Sequence, residues 1–255
     1  MKNDLFSIGP LTVHGYGLMI GIGVLAAYLT AEYRAKKKGL DNECIFWIVV
    51  WGLLGGLLGA KLLYYITEIK TIVANPRLLL NVTDGFVVYG GIIGGFAAAY
   101  IYLRWKKYEP IKYYDMAMPS IALAQGFGRI GCFLAGCCYG LETDSWIGIT
   151  FHTSAYAPNN VSLIPTQLLS SGLNFLHYFI LIFVAKRCKT DGLILGLYLI
   201  LYSAGRFVIE FFRGDLIRGS VGPLSTSQFI SIFIFIAGLA VVFWSVKRKN
   251  NGGRV

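Results

Sequence analysis

The chain has 255 residues, 56% of them hydrophobic and 14% charged, with a formal net charge of +10 and a mean hydropathy of +0.61. Soluble domains carry charge on about a quarter of their residues, so a water-soluble globular domain is excluded and a polytopic membrane protein is expected. The basic excess is split over four short loops, which excludes nucleic acid as a partner and points to membrane lipids.

In chain order, seven apolar segments of about 20 residues, enough to cross a bilayer, are read at 12–33, 45–66, 86–104, 114–134, 164–185, 192–212 and 226–246. The fourth is the least apolar. No small-residue cleavage pattern follows the first, so it is expected to be a retained helix and not a removed signal peptide. Arg34, Lys36, Lys37 and Lys38 follow the first segment, and Arg104, Lys106, Lys107 and Lys112 follow the third. Lys186, Arg187 and Lys189 follow the fifth, and Lys247, Arg248, Lys249 and Arg254 the seventh. These alternate loops hold 15 of the 23 Lys and Arg residues, whereas the opposite side holds only Lys2, Lys70, Arg77, Arg213 and Arg218. The positive-inside rule then places the N-terminus outside and the C-terminus in the cytoplasm. The expected fold is an all-α bundle of about seven transmembrane helices. It forms one domain over 1–255, with 140–163 as a small extracytoplasmic loop cap.

Two stretches, GLLGGLLGAKLLYY at 52–65 and GGIIGGFAAAYIYL at 90–103, repeat glycine at helical spacing. Close helix packing is the ordinary reading of such glycines, and a path for a lipid chain is the sharper one. Lys61 reads as a snorkelling residue near the outer end of its span. His14, Tyr16, Tyr89 and Gln167 open their spans from the same outer side.

Ionisable groups inside spans are costly and mark function. Arg129 lies near the outward end of the fourth segment, in GRIGCFLAGCCYG at 128–140. Arg206, Glu210 and Arg213 fall at i, i+4 and i+7 of the sixth, on one helix face, so the acid can hold the guanidinium groups. Arg213 alone reads as an ion-paired or interfacial cation. Arg129 and Arg206 together, on different helices at similar depth, point to a shared anion site. A guanidinium fork suits the oxygen pair of a phospholipid phosphate.

The motifs resemble those of the bacterial prolipoprotein diacylglyceryl transferase family. GRIGCFLAGCCYG is similar to its G-R-x-G-N-F-x-N-G-E-x-x-G signature, HGYGLMIGIG to its first-helix Y-G-L-M, and YGGIIGG to H-G-G-L-I-G. IPTQLL resembles H-P-T-Q-L-Y, and RFVIEFFRGD resembles R-F-x-x-E-x-x-R. The resemblance implies a multi-pass enzyme of the bacterial plasma membrane. It moves the diacylglyceryl group of phosphatidylglycerol to the lipobox cysteine of a prolipoprotein and releases glycerol phosphate. No metal or organic cofactor is implied. Carried over by position, Arg129, Arg206, Tyr89 and Glu210 are the catalytic set. Tyr16, Gly90, Gly91, Gly128, Gly140, Gln167 and Arg213 line the substrate site.

Several positions depart from the family pattern. Tyr89 stands where the family has histidine, Cys132 for an asparagine, Cys137 for a glutamate, and Leu169 and Ser170 for tyrosine and glutamate. The thiol-activating base is therefore left open, and Tyr89 is expected to donate a hydrogen bond to phosphate. Cys132, Cys137 and Cys138 read first as small apolar packing residues. Their C-x4-C-C spacing lacks the pattern and the nearby histidine of a zinc site, while redox work near the outer face is the remaining reading. The rival functions are a membrane thiol oxidoreductase using Cys137 and Cys138, and a non-catalytic phospholipid-binding protein.

Overall fold

The computed structural model describes residues 4–8, 11–80, 85–215 and 219–252. Lys2, Arg218 and Arg254, which enter the loop-charge count, lie outside the described residues. The long helices are α1 Gly15–Lys37, α2 Asn42–Thr67, α4 Val88–Trp105, α5 Pro110–Ala135, α6 Thr166–Arg187, α7 Leu193–Glu210 and α8 Thr226–Gly252. A six-residue helix, α3 Ile69–Ala74, follows α2. The chain is a polytopic α-helical membrane protein. Five of the helices, α1, α2, α6, α7 and α8, are long and apolar enough to cross a bilayer. Their outward residues are those a lipid phase tolerates: Leu57, Leu58, Leu62, Phe179, Phe233 and Phe243 are all more than half exposed.

The first expected segment begins too early. Residues Leu11–His14 form strand β2, paired antiparallel with β1 Asp4–Ile8, and α1 starts only at Gly15. Leu11-Thr12-Val13 is apolar enough to extend a hydropathy window, but its branched residues suit a strand. The 140–163 segment carries a second hairpin, β3 Ile149–Thr150 with β4 Ser162–Leu163. It has its own apolar centre of Phe133, Phe151, Ala157 and Leu163. A third, β5 Ser220–Val221 with β6 Leu224–Ser225, leads into α8.

The chain divides into two compact units, a larger one of residues 1–31 and 114–255 and a smaller one of 32–113. In the larger unit, α5 explains its own low hydropathy. No residue from Pro110 to Ala135 is exposed, so the helix faces protein where the others face lipid and tolerates polar side chains. Buried Asp115 accepts from the backbone N–H groups of Gly192 (2.7 Å) and Leu195 (2.8 Å), capping α7 across space where Gly192 offers no side chain. Ser120 meets Thr30 at 3.0 Å between their hydroxyls, tying α5 to α1.

In the smaller unit, α2 and α4 pack through glycine. A Cβ on Gly55 would overlap Ala98 and the Gly94 carbonyl, and one on Gly59 would overlap the Gly90 carbonyl. A Cβ on Gly91 would meet the Gly56 carbonyl oxygen at 3.3 Å. Helix packing is thus the observed role of both glycine stretches, including Gly90 and Gly91. Lys61 lies with its Nζ 5.2 Å from the ring centres of Tyr64, Tyr65 and Phe86, a cation–π cage in place of a free snorkel. At the start of α2, Asp41 accepts from the Glu43 N–H (3.0 Å) and the Tyr108 hydroxyl (2.5 Å). The Tyr108 bond, above all, holds the Asp41 carboxyl below its usual range.

The glycine interface has a direct test. Gly59→Ala should destabilise the protein by about 1–3 kcal/mol through overpacking. Gly52→Ala, whose Cβ meets nothing within 4 Å, should be neutral or stabilising by up to about 1 kcal/mol. Thermal unfolding in detergent compares the two variants.

Candidate functional site

The site is built on one face of α7. Tyr198, Tyr202, Arg206 and Glu210 recur every fourth residue, so they stack along a single stripe. The Tyr198 and Tyr202 rings stack at 5.8 Å. Arg206 Nη2 lies 2.7 Å from Glu210 Oε2, with the two side chains 13% and 8% exposed. The contact is an ion pair by distance, and Glu210 Oε2 makes no aligned hydrogen bond. The same Arg206 nitrogen donates to Ser227 Oγ on α8 at 2.8 Å. Arg206 is therefore aimed by two neighbouring groups on different helices, one of them an acid one turn away.

Arg129 on α5 and Arg206 on α7 line one cleft of about 30 Å³. The other walls include Ser170, Asn174 and His177 of α6, together with Tyr202. Ser170, Asn174 and His177 fall at i, i+4 and i+7, a polar stripe on an otherwise apolar helix. Asn174 donates to the Ser170 carbonyl at 2.9 Å. His177 is 8% exposed, and its Nδ1 is buried without a hydrogen-bond partner. In the sequence the stripe shows only as polar residues at helical spacing within a span, a weaker signal than a charged group. A cleft of that size has room for one or two waters, so a phosphate enters only if its walls move apart.

Beside the cleft the chain turns back after α5. Gly136 (φ +77°) and Cys138 (φ +62°) take the left-handed conformation, and Gly140 bridges antiparallel to Arg213. Gln167 Nε2 donates to the Cys137 carbonyl at 2.9 Å, and Thr166 Oγ1 donates to the Cys138 carbonyl at 2.8 Å. Gln167 is 1% exposed, so its amide serves as an anchor for this turn, while its Oε1 is buried without a hydrogen-bond partner. A Cβ on Gly140 would overlap the Ile164 carbonyl, so this glycine is needed for close backbone approach.

Arg213 is 6% exposed and does not snorkel. It grips Asp215 with two hydrogen bonds, Nε to Oδ1 at 2.8 Å and Nη2 to Oδ2 at 2.6 Å. Its Nε is also 4.0 Å from Glu210 Oε2, and it hydrogen-bonds Cys138. Hydrogen bonds from Cys132 and Cys137, backed by the Arg213 guanidinium, hold the Cys138 thiol below its usual range.

Tyr16 opens α1 and is 42% exposed, within electrostatic reach of Arg129 and the three cysteines. Gly131 makes that approach possible, because a Cβ there would crowd the Tyr16 ring and carbonyl oxygen at 3.2 Å. Gly128 differs, since a Cβ at its position would meet nothing within 4 Å. The larger unit thus brings Arg129, Arg206, Glu210, Arg213, Tyr16, Gly128, Gly140 and Gln167 into one region. Tyr89, Gly90 and Gly91 belong to α4 of the smaller unit, where Tyr89 is 38% exposed.

Removing Glu210 alone leaves Arg206 buried beside a second guanidinium. Glu210→Gln should cost about 3–5 kcal/mol. The double variant Arg206→Met/Glu210→Gln should lose less than the sum of the single changes, since the residues form one unit. Unfolding midpoints in detergent give the coupling energy.

Residues 3–244 match the family model described as prolipoprotein diacylglyceryl transferase. Among curated relatives, the phosphatidylglycerol–prolipoprotein diacylglyceryl transferase of Clostridium tetani is 48% identical over 94% of this chain and 96% of its own length. A second, from Clostridium perfringens, is 45% identical over 94% of this chain and 93% of its own length. One from Staphylococcus carnosus is 31% identical over 94% and 88%. With the match running across almost the whole sequence, the chain belongs to the prolipoprotein diacylglyceryl transferase family.

Proposed function

We propose that this protein transfers the diacylglyceryl group of phosphatidylglycerol to the lipobox cysteine of a prolipoprotein in the bacterial cell membrane. The single observation that carries the assignment of residues is the shared cleft of Arg129 and Arg206, two cations from separate helices. The relatives named above act, by their names, on the same lipid and protein.

In the reaction, the cysteine thiolate attacks the glyceryl carbon that carries the phosphate ester. A carbon–sulfur bond forms, the carbon–oxygen bond breaks, and its electron pair leaves on the oxygen of glycerol phosphate. The thiol proton goes to a base or to the departing phosphate. Arg129 and Arg206 hold the phosphate oxygens as charge gathers on the leaving group, in a cleft too small for bulk water to screen them. Glu210 and Ser227 hold Arg206 at the cleft before the lipid arrives. Tyr16 and Gly128 offer the lipid an open flank, and Arg213 and Gln167 hold the turn beside it. His177 adds a buried imidazole on the cleft wall.

We further propose seven membrane spans acting as one transmembrane domain. The two helices below the usual span hydropathy, α4 and α5, cross with the rest: glycine contacts seat α4 against α2, and α5, with no exposed residue, can carry polar side chains. The N-terminus is outside and the C-terminus cytoplasmic, with 140–163 outside.

Two experiments test these readings. Purified protein with labelled phosphatidylglycerol and a lipobox peptide should yield a thioether-linked peptide. Arg129→Ala and Arg206→Ala should each lower the rate by about 10²–10³-fold, the loss typical of a removed oxyanion donor. Full activity in both variants overturns the site, and lipid binding without adduct favours a non-catalytic binder. For topology, Cys188 is exposed at the end of α6, in the Lys186–Lys189 loop. A membrane-impermeant maleimide should leave Cys188 unmodified in intact cells and modify it after permeabilisation, as read by peptide mass spectrometry. Labelling in intact cells reverses the orientation.

A further inference from the structure

We propose that Cys132, Cys137 and Cys138 form a binding site for one soft monovalent metal ion of the Cu(I) type, beside the arginine cleft. The three Sγ atoms all lie within 4.8 Å of one another, and all three side chains are half-buried free thiols. With metal–sulfur bonds of about 2.3 Å, a trigonal site places its sulfurs about 4.0 Å apart. The observed clustering is close to that spacing. Linear spacing hides this, because C-x4-C-C lacks the short Cys-Cys interval of the usual zinc loop.

What gathers the thiols is the backbone, not the thiols themselves. Cys137 N–H bonds the Cys132 carbonyl at 3.1 Å, and Gly136 N–H bonds that of Phe133 at 3.1 Å. Gln167 and Thr166 then pin the carbonyls of Cys137 and Cys138. A turn fixed in this way is prepared to bind before any ion arrives. Cys138 supplies a separate observation. It holds φ +62°, where a glycine would be unstrained and an L-residue is disfavoured. Non-glycine residues kept in that conformation cluster at ligand clamps, and here the strained side chain is the one that completes the triad.

Donor chemistry selects the ion. The set is sulfur only, and among the described residues no histidine or carboxylate joins the group. Soft thiolates select Cu(I) and Zn(II) over harder cations. Zinc wants a fourth ligand, which this set does not supply, whereas Cu(I) is satisfied by three. Charge agrees as well. Three thiolates around a monovalent ion leave two negative charges, and two guanidinium groups are at hand: Arg213, bonded to Cys138, and Arg129, within electrostatic reach of Cys132.

The test is a Cu(I) titration of the reduced protein in detergent, without oxygen, against a chromophoric Cu(I) chelator. The full chain, and a Cys44→Ser/Cys188→Ser chain lacking the two remote thiols, should each withdraw one copper. X-ray absorption should show a shell of three sulfurs and no nitrogen. Each of Cys132→Ser, Cys137→Ser and Cys138→Ser should weaken binding at least tenfold, with an unchanged gel-filtration profile confirming the fold. If the full chain withdraws no copper, the proposal fails. It also fails if the copper follows Cys44 and Cys188, or if the three single variants bind as the parent does.

Discussion

A guanidinium held in a bilayer has lost its water, and the Coulomb field that water would have screened must end on something nearby. On α7 it ends on Glu210, one turn from Arg206, and the rest of the site is arranged around that pair. The acid offsets one positive charge locally, but three arginines share the neighbourhood: Arg206, Arg213 and Arg129. Asp215 takes up Arg213 with two hydrogen bonds. Arg129 remains on the opposite wall of the cleft without an acidic partner among the ion pairs of the described residues. The local balance is therefore positive, by construction, at the place where Arg129 and Arg206 face each other. A phosphate diester supplies the missing charge. Burial makes that attraction stronger than it would be in water.

Glycine does two different jobs in this chain, and the distinction separates scaffold from site. In the smaller unit, Gly55, Gly59, Gly90 and Gly94 bring α2 and α4 into backbone contact, and any side chain there would overlap the neighbouring helix. Gly131 does the same for α1 and α5, which sets Tyr16 beside the turn that follows α5. Gly128 has no such neighbour. A glycine that packs nothing, one residue from a functional arginine, leaves room for something outside the chain, and the phospholipid is the molecule present there in quantity.

How much of this was legible beforehand depends on the kind of signal. Long apolar runs and loop charges locate helices well, because both follow from the bilayer's thickness and potential. All seven long helices overlap the segments read from hydropathy. The starts are less certain: hydropathy cannot separate an apolar strand such as Leu11–His14 from the first turn of α1. The i, i+4, i+7 spacing of Arg206, Glu210 and Arg213 located the ion pair, because a helix is a rigid ruler over two turns. Burial was not legible. Arg213 looks like a surface cation until Asp215, two residues on, is seen to curl back onto it. Gln167 looks like a lipid-facing amide until its partner, a carbonyl 30 residues away in sequence, is known. A lone histidine in a span such as His177 has no local pattern; it acquires meaning only from the arginines that two other helices bring to the same cleft.

The cysteine turn shows why such cases resist sequence reasoning and also why they matter. Residues 132 to 138 pass from helix to left-handed turn, so linear spacing says little about distance. The family pattern places amide and acid side chains at two of these positions, where this chain has thiols. Replacing a charged carboxylate with a thiol removes a fixed negative charge from this turn. The same replacement leaves three sulfurs in a backbone frame that does not depend on them. A frame pinned by Thr166 and Gln167 of α6 moves with α6, whose Ser170, Asn174 and His177 form the cleft wall. Whatever occupies the three sulfurs is thus mechanically joined to the wall that must shift before a phosphate can enter.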